Sequence, residues 1–296
     1  MPRAVVLLNP RSRSGRNVSV GRILEAFAEA AWSVELWAGD SPDWTVSAAV
    51  RARDLGVDAI FGAGGDGVLA QILPAIVNTD VALGVVPLGT GNVWARELRL
   101  PLQPRRAIVA QLVGPTTQVD VGLANGRLFL AIASVGLDAR IVELVESDAG
   151  AKALGQLAYP LAGLALASGL RGTATRVWLD DDPPIDLNLL AGIITNGRLY
   201  GGLVPLVPQA RFDDGVLDAS LFVGGGPFEA TAHAARVLAG LHQARHDVVM
   251  RRVRRARFES LAQPLPVQTD GDILGTTPLA VEVKPAALRV LGVTRA

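Results

Sequence analysis

Residues 57–73, VDAIFGAGGDGVLAQIL, join an apolar run to a helical pattern through a glycine turn. Val57–Phe61 reads as a buried strand, and Val68, Leu69, Ile72 and Leu73 then recur at helical spacing. A strand that passes into a helix across Gly64-Gly65-Asp66-Gly67 brings backbone N–H groups close together at a helix N-terminus, where a bound anion is favoured. Asp66 is out of place in a plain phosphate cradle, because its carboxylate would repel phosphate. A cation between them, such as Mg²⁺ on ATP, removes the conflict. The turn therefore reads as a nucleotide-phosphate site with a metal.

The rest of the first third repeats the pattern. Strands are expected over Ala4–Leu8, Val34–Trp37, Val57–Phe61 and Val81–Val86. Helices are expected over Val20–Ala31, Pro42–Leu55, Leu69–Val77 and Asn92–Leu98. Such alternation implies a parallel sheet with both faces covered. Polar loops follow three strands, at Asn9-Pro10, Gly62–Gly67 and Pro87–Asn92. Open α/β sheets bind ligands at the carboxyl ends of their strands, so these loops are expected to share one edge.

From about residue 117 short strands follow one another, over Gln118–Leu123, Arg127–Ala133, Thr175–Leu179, Leu187–Thr195, Val216–Phe222, Asp247–Val253 and Pro266–Asp270. Helices are inserted near Ala139–Val145, Ala151–Leu170 and Pro227–Leu241. The expected division is an α/β domain over 1–116 and a β-rich domain over 117–284, with 285–296 a candidate to return to the first.

Composition narrows the function classes. The 296 residues are 50% hydrophobic with zero formal net charge, so a sizeable core is available and bulk electrostatics gives no reason to expect nucleic acid. The chain has no cysteine, which excludes disulfides and thiolate metal sites and makes the cytosol the default. Met1-Pro2-Arg3 leads straight into AVVLLN, so no secretory leader is expected. The uncharged stretch Ala153–Leu170 contains Pro160, several glycines and much alanine, and reads as a buried or interfacial helix rather than a span. Lys152 and Lys284 are the only lysines, and no GxxxxGK[ST] motif exists. Any phosphate must then be held by backbone N–H groups and arginines.

Several segments admit a chemical and a plain reading. Asn9-Pro10-Arg11-Ser12-Arg13-Ser14-Gly15-Arg16 suits phosphate contact or a solvated loop. Pro87-Leu88-Gly89-Thr90-Gly91-Asn92 is a second glycine turn entering a helix, with Asn92 placed to cap it and Thr90 able to donate a hydroxyl. Asp213-Asp214-Gly215-Val216-Leu217-Asp218 is either a self-bonded acidic turn, which spacing favours, or a hard-cation site. Thr269-Asp270-Gly271-Asp272 is a hairpin turn or the seat of a general base. His242 and His246 read as a surface pair rather than a metal site, and Arg251–Arg257 as a solvated strand face with some appeal to anionic headgroups.

Taken in order, NPRSRSGR, GGDG, PLGTGN, SVGLDA, TNGRLYGGLVPLVPQARFDDGVLDASL and VQTDGD resemble the YegS-type bacterial lipid kinases, in the superfamily of diacylglycerol and sphingosine kinases. The resemblance runs from about residue 4 to 284. It implies an NAD kinase/diacylglycerol kinase-like α/β domain, then an antiparallel β-sandwich domain with inserted helices, and a nucleotide held between them. It assigns ATP contacts to Asn9, Pro10, Ser12 and Arg13, to Gly64, Gly65, Asp66, Gly67 and Val68, and to Gly89, Thr90 and Asn92. It makes Asp270 and Asp272 the catalytic acidic pair, Asp272 in the position of the proton acceptor, with Asp66 helping the Mg²⁺ on ATP. It recasts the acidic turn as a Mg²⁺ site built from Asp214 and the carbonyls of Arg211 and Val216.

The chain departs from the family pattern in places. Val68 stands where a threonine is usual, Ala70-Gln71 where Asn-Glu is frequent, and Val93 where many relatives have aspartate. The family's early threonine has no counterpart near Trp37–Asp40. The implied activity is ATP-dependent phosphorylation of a lipid hydroxyl by a cytoplasmic enzyme, peripheral at the inner membrane face and without a transmembrane span. A homodimer is left open. The other readings are an NAD kinase-like enzyme, whose Asn-Glu pair for the nicotinamide ribose is not found, and a non-catalytic nucleotide or lipid binder.

Overall fold

The computed structural model describes residues 1–12, 19–148, 150, 158–243 and 245–292. In chain order these form β1 (Arg3–Leu8), α1 (Val20–Glu29), β2 (Ser33–Ala38), α2 (Pro42–Asp54), β3 (Ala59–Gly64), α3 (Asp66–Ile76), β4 (Ala82–Pro87), α4 (Val93–Glu97) and α5 (Pro104–Val113). There follow β5 (Thr116–Ala124), β6 (Arg127–Phe129), β7 (Ile132–Gly136), α6 (Leu137–Ser147), α7 (Ala158–Ala167), β8 (Thr173–Leu179), β9 (Ile185–Thr195), β10 (Leu199–Tyr200) and β11 (Val204–Pro205). The last are β12 (Leu217–Val223), α8 (Pro227–Leu238), β13 (Val248–Val253), β14 (Arg255–Ser260), β15 (Pro266–Thr269), β16 (Asp272–Thr276) and β17 (Leu279–Leu291). The chain divides into two compact units, Met1–Val121 with Pro285–Ala296, and Gly122–Lys284.

In the first unit β2, β1, β3 and β4 lie side by side, all parallel, and the tail of β17 adds to β4 in the same sense. β3 and β4 are buried at every position, as expected for strands covered on both faces. Phe27 of α1 meets Phe61 of β3 edge to face, with ring centroids 4.9 Å apart. Helix α1 starts on Ser19, whose hydroxyl accepts from Arg22 N, and α2 starts on Ser41, which accepts from Trp44 N, with Pro42 in its first turn. Helix α5 is absent from the sequence expectations. It buries Gln111, whose side chain pairs with both backbone groups of Val85 on β4, at 2.7 Å each.

The second unit is antiparallel, in the order β16-β15-β7-β9-β8-β14-β17, with β12 and then β13 attached along β9. One core lies among strands and includes Phe129, Val135, Ile194, Leu221, Phe258 and Val267. A second lies under α6, α7 and α8 and includes Ile141, Ala162, Leu190, Phe222 and Ala230.

The expected strand over Arg127–Ala133 is two, β6 and β7. The basic run 251–257 is also split: β13 ends at Val253 and β14 starts at Arg255, with Ala256 turned inward between the exposed Arg255 and Arg257, and Phe258 inward after them. Residues 151–157 lie outside the described residues, so the expected long helix there is seen only as α7. Among the described residues no helix is long and apolar enough to cross a membrane.

Candidate active site

Three loops leave the carboxyl ends of β1, β3 and β4, and two of them touch through glycine. A β-carbon built on Gly89 would overlap the α-carbon of Gly65, and one built on Gly65 would lie 3.3 Å from the α-carbon of Gly89. Glycine at 89 is what lets the two turns come this close, and at 65 a β-carbon would be a tight fit. Leu88 N donates to Gly64 O at 2.9 Å and Val68 N to Gly65 O at 3.0 Å. Gly67 at the head of α3 is exposed, with open space where a side chain would be. The Val68 side chain is buried and packs beneath Gly64.

Asp66 bridges the same two loops. Its Oδ2 accepts from Val93 N and its Oδ1 from Trp94 N, both at 3.0 Å. The carboxyl therefore caps α4, a role available without any cation. Burial pushes its pKa up, against the opposing effects of the Trp94 and Val93 amides and of Arg96. Asn92 stands at the N-cap position with φ 47°, but its side chain turns back to bond both Gly89 N and Gly89 O at 2.9 Å. The expected capping by Asn92 is thus corrected: Asp66 supplies the cap and Asn92 closes the 89–92 turn. Thr90 is exposed on that turn.

In the first loop Asn9 Oδ1 accepts from Arg11 N at 2.8 Å, and Ser12 Oγ donates to Asn9 O at 2.8 Å. Pro10 lies between them, and the exposed Arg11 pairs with Asp40 at 2.7 Å. Arg13 and Arg16 lie outside the described residues.

In the second unit β15 and β16 form a hairpin in which Thr269 faces Asp272 across the two-residue turn Asp270-Gly271. Both turn residues have positive φ, 46° and 93°, as such turns require. The half-buried Asp270 carboxyl accepts from three backbone amides. Oδ2 accepts from Leu130 N at 2.7 Å, and Oδ1 from Ala131 N and Ile132 N at 2.9 Å. Asp272, by contrast, is half exposed and pairs with Arg127.

The acidic turn is densely charged. Asp213 is held by Arg211 at 3.1 Å, and Asp214 pairs with Arg252 through Oδ2. Asp214 Oδ1 accepts weakly from Val216 N at 3.4 Å, the self-bonded turn that spacing favours. Asp218 is buried and its pKa is pushed up to about 6, first by burial and then by Asp214, with Arg252 opposing. Hard oxygen donors and surplus negative charge suit Mg²⁺ here. Among the described residues no group of three His, Asp or Glu side chains is arranged to hold a metal, so a cation at this turn depends on the backbone carbonyls of Arg211 and Val216.

An apolar pocket of about 80 Å³ opens under α6, α7 and α8, lined by residues such as Ile141, Leu190, Phe222 and Val237. Asp138 and Tyr200 supply polar groups in its wall. Asp138 is 3% exposed; Ser134 Oγ, Tyr200 OH and Gln268 Nε2 all donate to it, the last at 2.7 Å. Burial, and then Asp138, push the Tyr200 pKa well above the usual tyrosine value. Sequence reasoning assigned no role to Asp138, Tyr200 or Gln268, although SVGLDA, GRLYGG and VQTDGD contain them. The reading of His242 as a surface residue is corrected. It is fully buried beyond the end of α8, with Nε2 2.7 Å from Leu206 O.

The rim near the pocket is apolar and exposed. Leu161 and Leu164 on α7, and Phe228 and Leu238 on α8, are open to solvent, Phe228 at 84%.

The chain matches two family models, the diacylglycerol kinase catalytic domain over residues 3–124 and the YegS C-terminal NAD kinase beta sandwich-like domain over 131–292. It is 31% identical over 298 residues to a protein named "Diacylglycerol kinase" of Mycobacterium tuberculosis (strain CDC 1551 / Oshkosh), covering 98% of this chain and 94% of that one. It is 34% identical over 242 residues to a "Probable lipid kinase YegS-like" protein of Pseudomonas aeruginosa (strain UCBPP-PA14), covering 81% and 78%. A solved chain from Bacillus anthracis str. Sterne shares the fold, with TM-score 0.82 at 19% identity over 98% of this chain and 96% of that chain.

Proposed function

Because the chain belongs to the diacylglycerol kinase catalytic-domain family and carries its YegS-type C-terminal domain, it is a lipid kinase, and we propose that it moves the γ-phosphoryl group of ATP to a hydroxyl of a diacylglycerol-like lipid. The observation that carries the acceptor side is the mounting of Asp272. Its turn is pinned by three amide bonds to Asp270, so a half-exposed carboxylate is presented on a rigid hairpin. In this reading Asp272 takes the hydroxyl proton as the lipid oxygen attacks the γ-phosphorus, the bond from that phosphorus to the β–γ bridging oxygen breaks and ADP leaves, and Asp270 anchors the turn. Arg127 holds the Asp272 side chain in one orientation until the hydroxyl arrives.

On the donor side, the backbone at Gly65–Gly67 and Gly89 binds the phosphate chain, with Asn9, Pro10, Ser12 and Thr90 flanking it. Arg13 and Arg16 offset charge that develops on the transferred group. Val68 contributes its backbone alone, since its side chain is buried. Asp66 and Asn92 fix the two glycine turns against each other. Mg²⁺ fits the oxygen donors of Asp214, Arg211 and Val216, and when bound would neutralise the acidic turn there, while the Mg²⁺ carried on ATP would neutralise its phosphates.

The apolar pocket supports a lipid tail as the rest of the substrate. Its present volume takes only a few methylene groups, so a tail enters as α7 or α8 yields. The exposed Leu161, Leu164, Phe228 and Leu238 then face the bilayer surface, and the enzyme works at the cytoplasmic membrane face.

The test is incubation with labelled ATP, Mg²⁺ and a total lipid extract, with NAD as a parallel acceptor, followed by mass spectrometry. A newly phosphorylated glycerolipid is the expected product, and its absence in the Asp272→Asn variant identifies the base. Labelling of NAD instead, or full activity in that variant, overturns the mechanism.

A further inference from the structure

The Gln268 side chain joins two parts of the second unit, the wall of the apolar pocket and the turn before β16. It is 1% exposed on β15, directly across from Ser134 of β7. Its Nε2 donates to Ser134 Oγ at 2.8 Å and to Asp138 Oδ2 at 2.7 Å. Its Oε1 accepts from Gly271 N at 2.9 Å. One amide therefore spans from the pocket wall to the residue that precedes Asp272. On the pocket side the chain of bonds continues from Asp138 to Tyr200, whose hydroxyl stays protonated and so remains a donor.

Two neighbouring anchors hold the turn differently. Asp270 fixes the turn to the β6–β7 connection, whereas the Gly271 amide is held by Gln268 Oε1. A glycine at φ 93° carries no side chain to restrain it. The direction in which the chain enters β16, and with it the Asp272 side chain, is set at that peptide.

We propose that Gln268 is a positioning residue for phosphoryl transfer: it fixes the Gly271 peptide and thereby Asp272, and ties both to Asp138 and Tyr200 in the pocket wall. The proposal rests on the reading of Asp272 as the proton acceptor. A buried amide is suited to this task because one side chain both donates and accepts. A ligand that disturbs Asp138 or Tyr200 acts on the catalytic turn through the same side chain. Misplacement of a base by about 1 Å costs on the order of 100-fold in rate, so a positioning residue of this kind is read in kcat.

The experiment compares wild type with Gln268→Met, Gln268→Glu and Asp272→Asn. Hydrogen exchange at the Gly271 amide is measured alongside kcat and the KM for ATP. Gln268→Met keeps the length of the side chain and loses both polar atoms. It is expected to expose Gly271 N to faster exchange and to lower kcat by roughly 10- to 100-fold with KM for ATP unchanged. Gln268→Glu is the rescue, since burial keeps the new carboxyl neutral, able to donate to Asp138 and accept from Gly271. Its kcat is expected to stay within about threefold of wild type. In the Asp272→Asn background Gln268→Met is expected to lower kcat no further.

If Asp272→Asn is inactive while Gln268→Met keeps either its kcat or its Gly271 protection, the positioning role is wrong and the base assignment stands. If Asp272→Asn is fully active, the base assignment is wrong and the proposal falls with it. If Gln268→Met does not fold, Gln268→Glu decides: kcat lost with Gly271 protection kept, or protection lost with kcat kept, overturns the proposal, and the two moving together supports it.

Discussion

Gly65 and Gly89 meet backbone to backbone: Gly89 has no room for a β-carbon, and one on Gly65 would fit only tightly. The contact joins the turn after β3 to the turn after β4, and both turns belong to the proposed phosphate site. Gly89→Ala is therefore expected to push the turns apart, at a cost of roughly 1–3 kcal/mol. Thermal unfolding should show the loss, and the KM for ATP should rise. Unchanged melting and unchanged KM in the Gly89→Ala variant would remove the contact from the account of the donor site.

Asp66→Ala removes the cap of α4 and leaves the Val93 and Trp94 amides without their partner. A lost cap of this kind costs about 0.5–2 kcal/mol. The variant should melt earlier and lose phosphoryl transfer together. Loss of transfer with no change in melting would point instead to direct metal contact by Asp66.

Asp270 and Asp272 should separate cleanly. Asp272→Asn opens one exposed ion pair, worth at most about 1 kcal/mol, so the fold should hold while kcat falls by about 100-fold or more. Asp270→Ala strands three amides, each costing on the order of 1 kcal/mol or more if left unpaired, so it should destabilise the protein. Denaturant titration of both variants distinguishes the anchor from the base.

Tyr200 gives a pH signature. Its folded pKa lies above the unfolded value, so its contribution to stability is complete below about pH 10 and is lost as pH rises through the folded value. Absorbance titration in the near ultraviolet should show one of the two tyrosines, Tyr159 and Tyr200, resisting ionisation until the protein unfolds. Tyr200→Phe should abolish the resistant fraction. Persistence of that fraction in the Tyr200→Phe variant would assign it elsewhere.

Phe228 and Leu161 stand exposed on neighbouring helices. Replacing both with serine should weaken sedimentation with anionic phospholipid vesicles and slow phosphorylation of vesicle-borne lipid. Turnover of a short-chain, water-dispersed diacylglycerol should be unaffected. Equal loss on both substrates would argue against a membrane-facing role.

The first unit was legible where periodicity was strong. β3 is apolar throughout and α3 keeps helical spacing, so both elements were expected, but the strand runs on to Gly64 and the helix starts at Asp66, which leaves Gly65 alone between them. Helix α5 was not visible because its buried face is carried by Ala107, Ile108 and Gln111, a small residue and a polar one beside a single large aliphatic. The break between β13 and β14 was hidden by a run of arginines whose outward direction obscures the inward Val253, Ala256 and Phe258. At the candidate site, Asp66 drew attention through its charge, yet its partners lie on α4 and no local pattern announces them. The Asp138–Gln268–Gly271 chain draws on three separate elements. Their motifs are recognisable in sequence, but the bonds that unite them appear only when β7 and β15 are set in register.

Strand β17 begins in the second unit, and its tail, within Pro285–Leu291, lies against β4 of the first. Arg289 and Val290 pair with Ala82 and Leu83 there. During synthesis the sheet that carries the glycine turns therefore waits, with one side of β4 lacking this partner, until the segment about 200 residues further on has left the ribosome. Truncation before Pro285 would spare every candidate site residue and still leave that strand open to wrong partners. A protein cut before Pro285 should be rescued by supplying the missing strand in trans.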